Sequence, residues 1–284
     1  AVSGTGEGAT ITVPASGEAT VGVDVTPRAA FDSYVAQNAP NGTFLDGFVR
    51  LTSKTDGQPD LTVPYMGFYG DWGKAPIFDA LASDGGAHTL ASGIYNGTTG
   101  QQLGYNPLVK ADARTGTPKA DRYVLSRAEA SGAPTVLEPR TGTLRSVHTL
   151  NTVYANAAGE SVASYVTHQA WKSGVNPSTG KMTWVEDGHE PTTLDLRSDA
   201  YKNLPDGDYT LTLSAHNDGP SQAEQSISYN FSIDTTAPTV DTLAFSEDGD
   251  APHVTIAVTD NKPLAGIDLH DPADGLWFYR HIFS

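Results

Sequence analysis

Hydrolysis by a nucleophilic serine needs a base within hydrogen-bond reach, and a sequence reveals that arrangement only when a local motif enforces a special turn. The 284 residues contain no Gly-x-Ser-x-Gly and no Gly-Asp-Ser-Gly. The nearest lookalike, Ser83 to Gly86 (SDGG), has glycines without the nucleophile in place. Cysteine is absent, which removes disulfides, thiolate metal sites and thiol nucleophiles together. The histidines, His88, His148, His168, His189, His216, His253, His270 and His281, stand singly and none sits in a His-Glu-x-x-His spacing, so they read as ordinary surface or strand residues. Gly4 to Ala9 (GTGEGA) imitates a dinucleotide fingerprint but leads into Ile11 and Val13, a strand, where that site requires a helix N-terminus to receive phosphate.

Two further groupings could bind rather than react. Calcium takes six to eight oxygens, which acidic loops in β-rich proteins supply. Glu247, Asp248 and Asp250 form one cluster, and Asp260, Asn261, Asp268, Asp271 and Asp274 another. Neither has the spacing of a twelve-residue calcium loop closed by glutamate. We therefore assign no cofactor and leave calcium open beside plain solvated charge. The second grouping is Tyr65 to Trp72 (YMGFYGDW), four aromatics in eight residues interleaved with Gly67 and Gly70. Such a segment reads as a sandwich edge with core aromatics, or as a docking surface, because rigid rings bury large area at small entropic cost. On the second reading Tyr65, Phe68, Tyr69, Asp71 and Trp72 bind a partner or another domain. Trp171, Trp184 and Trp277 are isolated and offer a sugar-stacking alternative.

The elements that position these residues are strands. Apolar residues alternate with small or polar ones at Val21-Val23-Val25, Leu61-Val63-Tyr65, Tyr209-Leu211-Leu213-Ala215, Ile227-Tyr229-Phe231-Ile233 and Val254-Ile256-Val258. His216 to Gln225 (HNDGPSQAEQ) separates two of these runs as the long loop of a hairpin. Helical signal is confined to Pro27 to Ala36, enough for two or three turns. Short alternating strands punctuated by 29 Gly and 18 Pro predict an all-β chain of tandem antiparallel β-sandwiches, of fibronectin type III-like or immunoglobulin-like kind.

Length makes room for two domains, or for two plus a fragment. Punctuation places boundaries in Ala111 to Lys119 and near Ala237, after Thr235-Thr236, giving modules at 1–110, 111–236 and 237–284. The last is too short for an independent sandwich, so the terminal modules are expected to be truncated, with exposed apolar edges near Val254 to Val258 and Leu276 to Phe283. Ala1 reads as a processed terminus or an artificial boundary. A net charge of −16 argues against nucleic acid and anionic membranes as partners, and leaves neutral or cationic ones. No apolar run approaches the roughly 18 residues of a membrane span.

The segment from Gly47 to Asp79 resembles the first fibronectin type III-like module that follows the protease domain in cell-envelope subtilisin-like serine proteases, the lactocepin and complement-anaphylatoxin peptidase group. The resemblance is carried by Gly47-Phe48-Val49, Pro64-Tyr65-Met66-Gly67-Phe68 and Gly70-Asp71-Trp72, with Ile11-Thr12-Val13-Pro14-Ala15 upstream. In that group further strands lie before this point, so the chain is expected to begin inside the module. Leu204-Pro205-Asp206-Gly207-Asp208-Tyr209-Thr210 and Ile233 to Pro238 are similar to the closing half of the next module. Ser126 to Gly132 departs from its acidic loop, and no Arg-Gly-Asp occurs. The resemblance implies a secreted, cell-wall or cell-surface endopeptidase as parent, with its protease domain and its protein or peptide substrates as partners. The Gly-Thr-Ser-Met-Ala signature is missing, so this chain is expected to be non-catalytic, bracing and spacing the protease domain and helping to present substrates. An adhesin-like module binding carbohydrate or a host protein is the alternative.

Overall fold

The computed structural model describes residues 2–127, 133–170, 172–175, 179–183, 192–217, 223–248, 251–270, 273, 275 and 277–283. The chain divides into two compact units, Ala1–Asp71 and Trp72–Ser284. In the first, β1 (Val2–Ser3) pairs with β2 (Thr10–Ile11), and α1 (Ala29–Asn38) precedes the hairpin of β3 (Thr43–Leu51) and β4 (Leu61–Tyr69). The helix begins just after Pro27-Arg28, with Asp32 in its first turn, where a carboxylate complements the helix dipole. Val21, Val23 and Val25, expected as a strand, lie outside any strand and are exposed. Alternation supplies only a face, and these valines have no ladder partner among the described residues.

The second unit holds a sandwich. Its larger sheet runs in the order β6, β14, β13, β8, β9, comprising β6 (Val124–Leu125), β8 (Val147–Asn156), β9 (Ser161–Ala170), β13 (Gly207–His216) and β14 (Gln225–Ile233). The smaller sheet sets β7 (Val136–Arg140) between β12 (Leu194–Asp195) and β5 (Gly93–Asn96). A short pair, β10 (Gly174–Val175) with β11 (Met182–Thr183), follows β9. Leu211, Leu213, Leu150 and Tyr154 from the larger sheet share one buried cluster with Ile94, Leu137 and Leu194 from the smaller. Tyr209 Oη donates to Pro205 O (2.8 Å), tying the start of β13 to the turn before it. This is the tyrosine-corner device of Greek-key sandwiches.

The 110/111 boundary read from punctuation lies inside this unit, because β5 pairs with β7 across it, from Gly93↔Arg140 to Asn96↔Leu137. Beyond β14 come two hairpins, β15 (Thr239–Asp248) with β16 (Ala251–Thr259), and β17 (Gly266–His270) with β18 (Trp277–Ile282). The buried Asn106 amide donates to Ala265 O (2.6 Å) and Phe283 O (2.7 Å), clamping both ends of the last hairpin. Val254, Tyr279 and Ile282 are exposed in this region, as are Leu243 and Phe245.

Leu211 is fully buried at the centre of the larger sheet. Leu211→Ala is expected to cost about 2–5 kcal/mol, read as a lower urea midpoint for the second unit with its m-value unchanged.

Candidate functional site

In the aromatic segment, the β3–β4 register puts Phe44 opposite Phe68, with ring centroids 5.4 Å apart at 74°. Alternation then places Phe44, Phe48, Pro64, Met66 and Phe68 on one face of the ribbon, and Leu45, Val49, Val63, Tyr65 and Tyr69 on the other. The second face meets α1. Tyr69 packs edge-on against Phe31 (5.6 Å), and its Oη donates to Asp32 Oδ1 (2.5 Å), a bond that raises the phenol pKa above its ordinary value. Tyr65 lies across Gly47, where a Cβ would come within 2.6 Å of its Oη; only glycine lets the ring close over the ribbon there. Beside it a recess of about 370 Å³ is lined by Val25, Phe31, Leu45 and Tyr65, with Arg28 and Asp46 at hand. The first face stays open: Phe48 is 62% exposed and Met66 74%.

Asp71 is exposed and closes the first unit, whereas Trp72 opens the second and has partners there. Arg145 stacks over the Trp72 ring (4.5 Å) and donates from Nη1 to Trp72 O (2.7 Å) and Ala75 O (3.2 Å). With its amide oxygen turned toward them, buried Asn217 accepts from Arg145 Nη1 (2.9 Å), Arg145 Nη2 and Trp72 Nε1 (3.3 Å). Gln225 continues the lacing, donating to Gly73 O (3.0 Å) and Ala75 O (2.9 Å) and accepting from Ile77 N (2.9 Å). Residues 72–77 are thus a strap bound to the sandwich. Of the five residues singled out in the sequence, Tyr65, Phe68 and Tyr69 share one hairpin, while Trp72 is engaged by the second unit.

Two carboxylates with lowered pKa values, Asp79 and Asp206, hold loops. Asp79, only 4% exposed, accepts from Ala80 N (2.8 Å) and His88 N (2.9 Å) at Oδ1, and from Thr89 N (2.6 Å) and Leu90 N (3.1 Å) at Oδ2. Burial pushes its pKa up, but the four N–H dipoles outweigh burial and hold it below the usual carboxylate range. Ser83 Oγ, in the loop so anchored, donates to Asp84 Oδ1 (2.9 Å). Asp206 joins three parts of the chain, with Arg127 Nη2 at Oδ1 (2.8 Å) and Thr235 N and Oγ1 at Oδ2 (both 2.7 Å). Burial raises its pKa as well, and the bonds from Thr235 and Arg127 bring it down.

A cavity of about 490 Å³ opens between β13, β14 and residues 261–263. Its Asp208 lies 3.6 Å from Lys262 Nζ, which donates to Ser232 Oγ (2.8 Å), so the cleft carries its own cation. Among the calcium candidates, Asp268 is paired with Arg280 through two bonds of 2.7 and 2.8 Å. Asp250, Asp271 and Asp274, Trp171 and Trp184 lie outside the described residues, as do the side chains of Asp248 and Trp277. Among the described residues no group of three or more His, Asp or Glu side chains is placed to share a metal ion.

The hairpin with its covering helix is the end of a recognisable unit. Residues 2–66 match the Fn3-like domain. The Fn3-like module and the sandwich after it are together similar to proteinases. The chain is 25% identical over 273 residues to the PII-type proteinase of Lacticaseibacillus paracasei, a match covering 92% of this chain and 14% of the relative. It is 26% identical to the PII-type proteinase of Lactococcus lactis subsp. cremoris over the same shares of both. The C5a peptidase of Streptococcus pyogenes serotype M1 is 27% identical over 133 residues, 44% of this chain and 11% of the relative. The chain therefore spans about one seventh or less of the curated relatives it matches.

Arg145, Asn217 and Gln225, which hold the strap, were not visible as functional residues, since no local pattern marks a side chain whose partner lies 73 or 152 residues away.

Asp79 has its pKa lowered by folding, so its stabilisation is fully present above the ordinary aspartate pKa of about 3.9 and is lost as pH falls through the lower folded value. Asp79→Asn leaves one carbonyl oxygen facing N–H donors that two carboxylate oxygens served. It is expected to cost about 2 kcal/mol or more at pH 7 and to flatten the acid limb of a stability-versus-pH curve measured by urea denaturation.

Proposed function

We propose that this chain is a non-catalytic accessory part of a secreted, cell-surface subtilisin-like serine endopeptidase, in which the β-sandwich modules brace and space the protease domain and help present protein substrates. The observation that carries the reading is the match along 92% of the chain to proteinases of which it covers only 14%. A segment of that proportion, organised around sheets and loop-anchoring carboxylates, fits a scaffold attached to a reactive domain. The protease domain of the same parent is the partner assigned to the hairpin.

The open face of the hairpin supports that partner. Phe44, Phe48, Met66 and Phe68 line one side of a two-stranded ribbon, and an isolated ribbon of this size is marginal in water. Covering a few hundred Å² of such surface at about 25 cal/mol per Å² contributes several kcal/mol before ordering costs. From the opposite face Tyr69 packs on Phe31 of α1, and Tyr65 closes over Gly47.

Met66→Asp with Phe48→Asp in the full-length parent is expected to lower the protease thermal midpoint by a few degrees, at about 2–4 °C per kcal/mol for a domain of that class. The same pair should leave the 284-residue chain's own midpoint unchanged. An unaltered protease midpoint would remove the docking role. Incubating the 284-residue chain with a serine-directed fluorophosphonate is expected to give no labelling, because labelling demands an activated hydroxyl; stoichiometric labelling would overturn the non-catalytic reading.

A further inference from the structure

Strand β9 has a neighbour on one side. It pairs with β8 from Val147↔Ala170 to Ala155↔Ser161, and it is the outer member of the five-stranded sheet. Among the described residues no strand pairs with its other side. At ten residues it presents about 33 Å of ladder. Natural sheets guard such edges with proline, charge or very short strands. The other strands with a free side follow that rule: β3 carries Asp46 and Arg50, β4 carries Pro64, β15 carries Asp241 and Glu247, and β16 carries Pro252. In the sandwich itself β12 has two residues and ends in the Asp195–Arg197 ion pair (2.9 Å), and β5 is bridged by Gln102 at Tyr95. Ser161 to Ala170 (SVASYVTHQA) contains no Pro, Asp, Glu, Lys or Arg. Its outward face shows Ser164, Val166 and His168, all exposed, with Val166 at 56%. On the inward face Tyr165 is fixed by bonds with Thr193 O (3.0 Å) and Tyr201 Oη (2.9 Å). The ladder with β8 keeps one register from Val147↔Ala170 to Tyr154↔Ala163 and shifts only at its far end, where Val162 is the extra residue before Ala155↔Ser161.

We propose that β9 is a peptide-binding edge, which captures an extended, neutral-to-cationic polypeptide as a sixth strand of the sheet. Main-chain bonding along the ladder would supply the affinity, and tolerance of side-chain identity follows because the ladder reads backbone. Charge selects the occupant. A second copy of this chain would carry another −16 and be repelled, whereas a basic peptide is drawn toward the acidic chain and a neutral one is not opposed. The inference stands independently of the hairpin docking proposed above, since it concerns a different sheet in a different unit.

The test uses a fluorescein-labelled peptide of alternating valine and threonine with lysine flanks, titrated with the 284-residue chain by fluorescence anisotropy. A counterpart with the same side chains but N-methylated along its backbone serves as control. The unmodified peptide is expected to bind, the N-methylated one to bind more weakly by about tenfold or more, and bound peptide to slow hydrogen exchange across Ser161 to Ala170. Ser164→Lys with Val166→Lys, two exposed sites, should weaken binding comparably while leaving the thermal midpoint unchanged. Equal binding of both peptides, or binding of neither, would overturn the proposal. So would protection confined to another strand. A chain that sediments as a dimer, dissociated by the two lysines, would assign the edge to a second copy instead.

Discussion

Leu211 and Leu213 on β13 close against Leu137 and Leu194 across the sandwich, and the rest of the second unit depends on that dry contact between two sheets. Because β13 is the third of five strands, its inward side chains also align β14 and β8 on either flank, with Leu211 opposite both Tyr229 and Tyr154. A one-residue slip of β13 would turn its leucines to solvent and bring Thr210, Thr212 and Ser214 into the core. The register is therefore set by burial, and the Tyr209–Pro205 bond fixes the point from which it is counted.

Around this core, polar groups hold what apolar contact cannot. Asp79 gathers four backbone N–H groups, Asp206 unites Arg127 with Thr235, and Asn106 bonds the two chain segments that bound the last hairpin. Arg145 and Gln225 do the same for the strap. Each anchor answers backbone donors or acceptors in segments without a ladder, which would otherwise lose their hydrogen bonds to water on folding. The C-terminal hairpins are joined to the sandwich by such bonds, with Lys262 reaching Ser232 across the cavity beside β13.

Strands β4, β13, β14 and β16 could be read from alternation, because residues such as Tyr209 to Ala215 announce a buried and a solvated face two residues apart. The same rule misread Val21 to Val25, since periodicity describes one strand and says nothing of its partner. The pairing of β5 with β7 was hidden for a related reason: it joins segments some forty residues apart across a stretch that looks like a linker. Trp72 sat in an aromatic cluster that suggested one continuous surface, yet Arg145 claims its ring and carbonyl for the sandwich. The Tyr65 to Tyr69 portion stayed together because it lies in one strand, where sequence order and spatial order coincide.

The distribution of charge links these features. Strands β8, β9, β13 and β14 contain a single Asp, Glu, Lys or Arg, Asp208, although 18% of the whole chain is of those types. Apart from Asp208, Glu138 of β7 and Asp195 of β12, the acidic residues lie outside the strands of the sandwich's two sheets. A sheet built this way cannot rely on edge residues to repel its like, so protection against self-pairing rests on the −16 carried by each copy. Such protection acts over distances of about a Debye length, roughly 10 Å at 0.1 M salt, and weakens as ionic strength rises. It also discriminates by sign: it opposes a second acidic molecule, leaves a neutral one unopposed and favours a basic one. An edge without charge or proline, on an acidic chain, thus stays open to unlike chains while opposing its own kind.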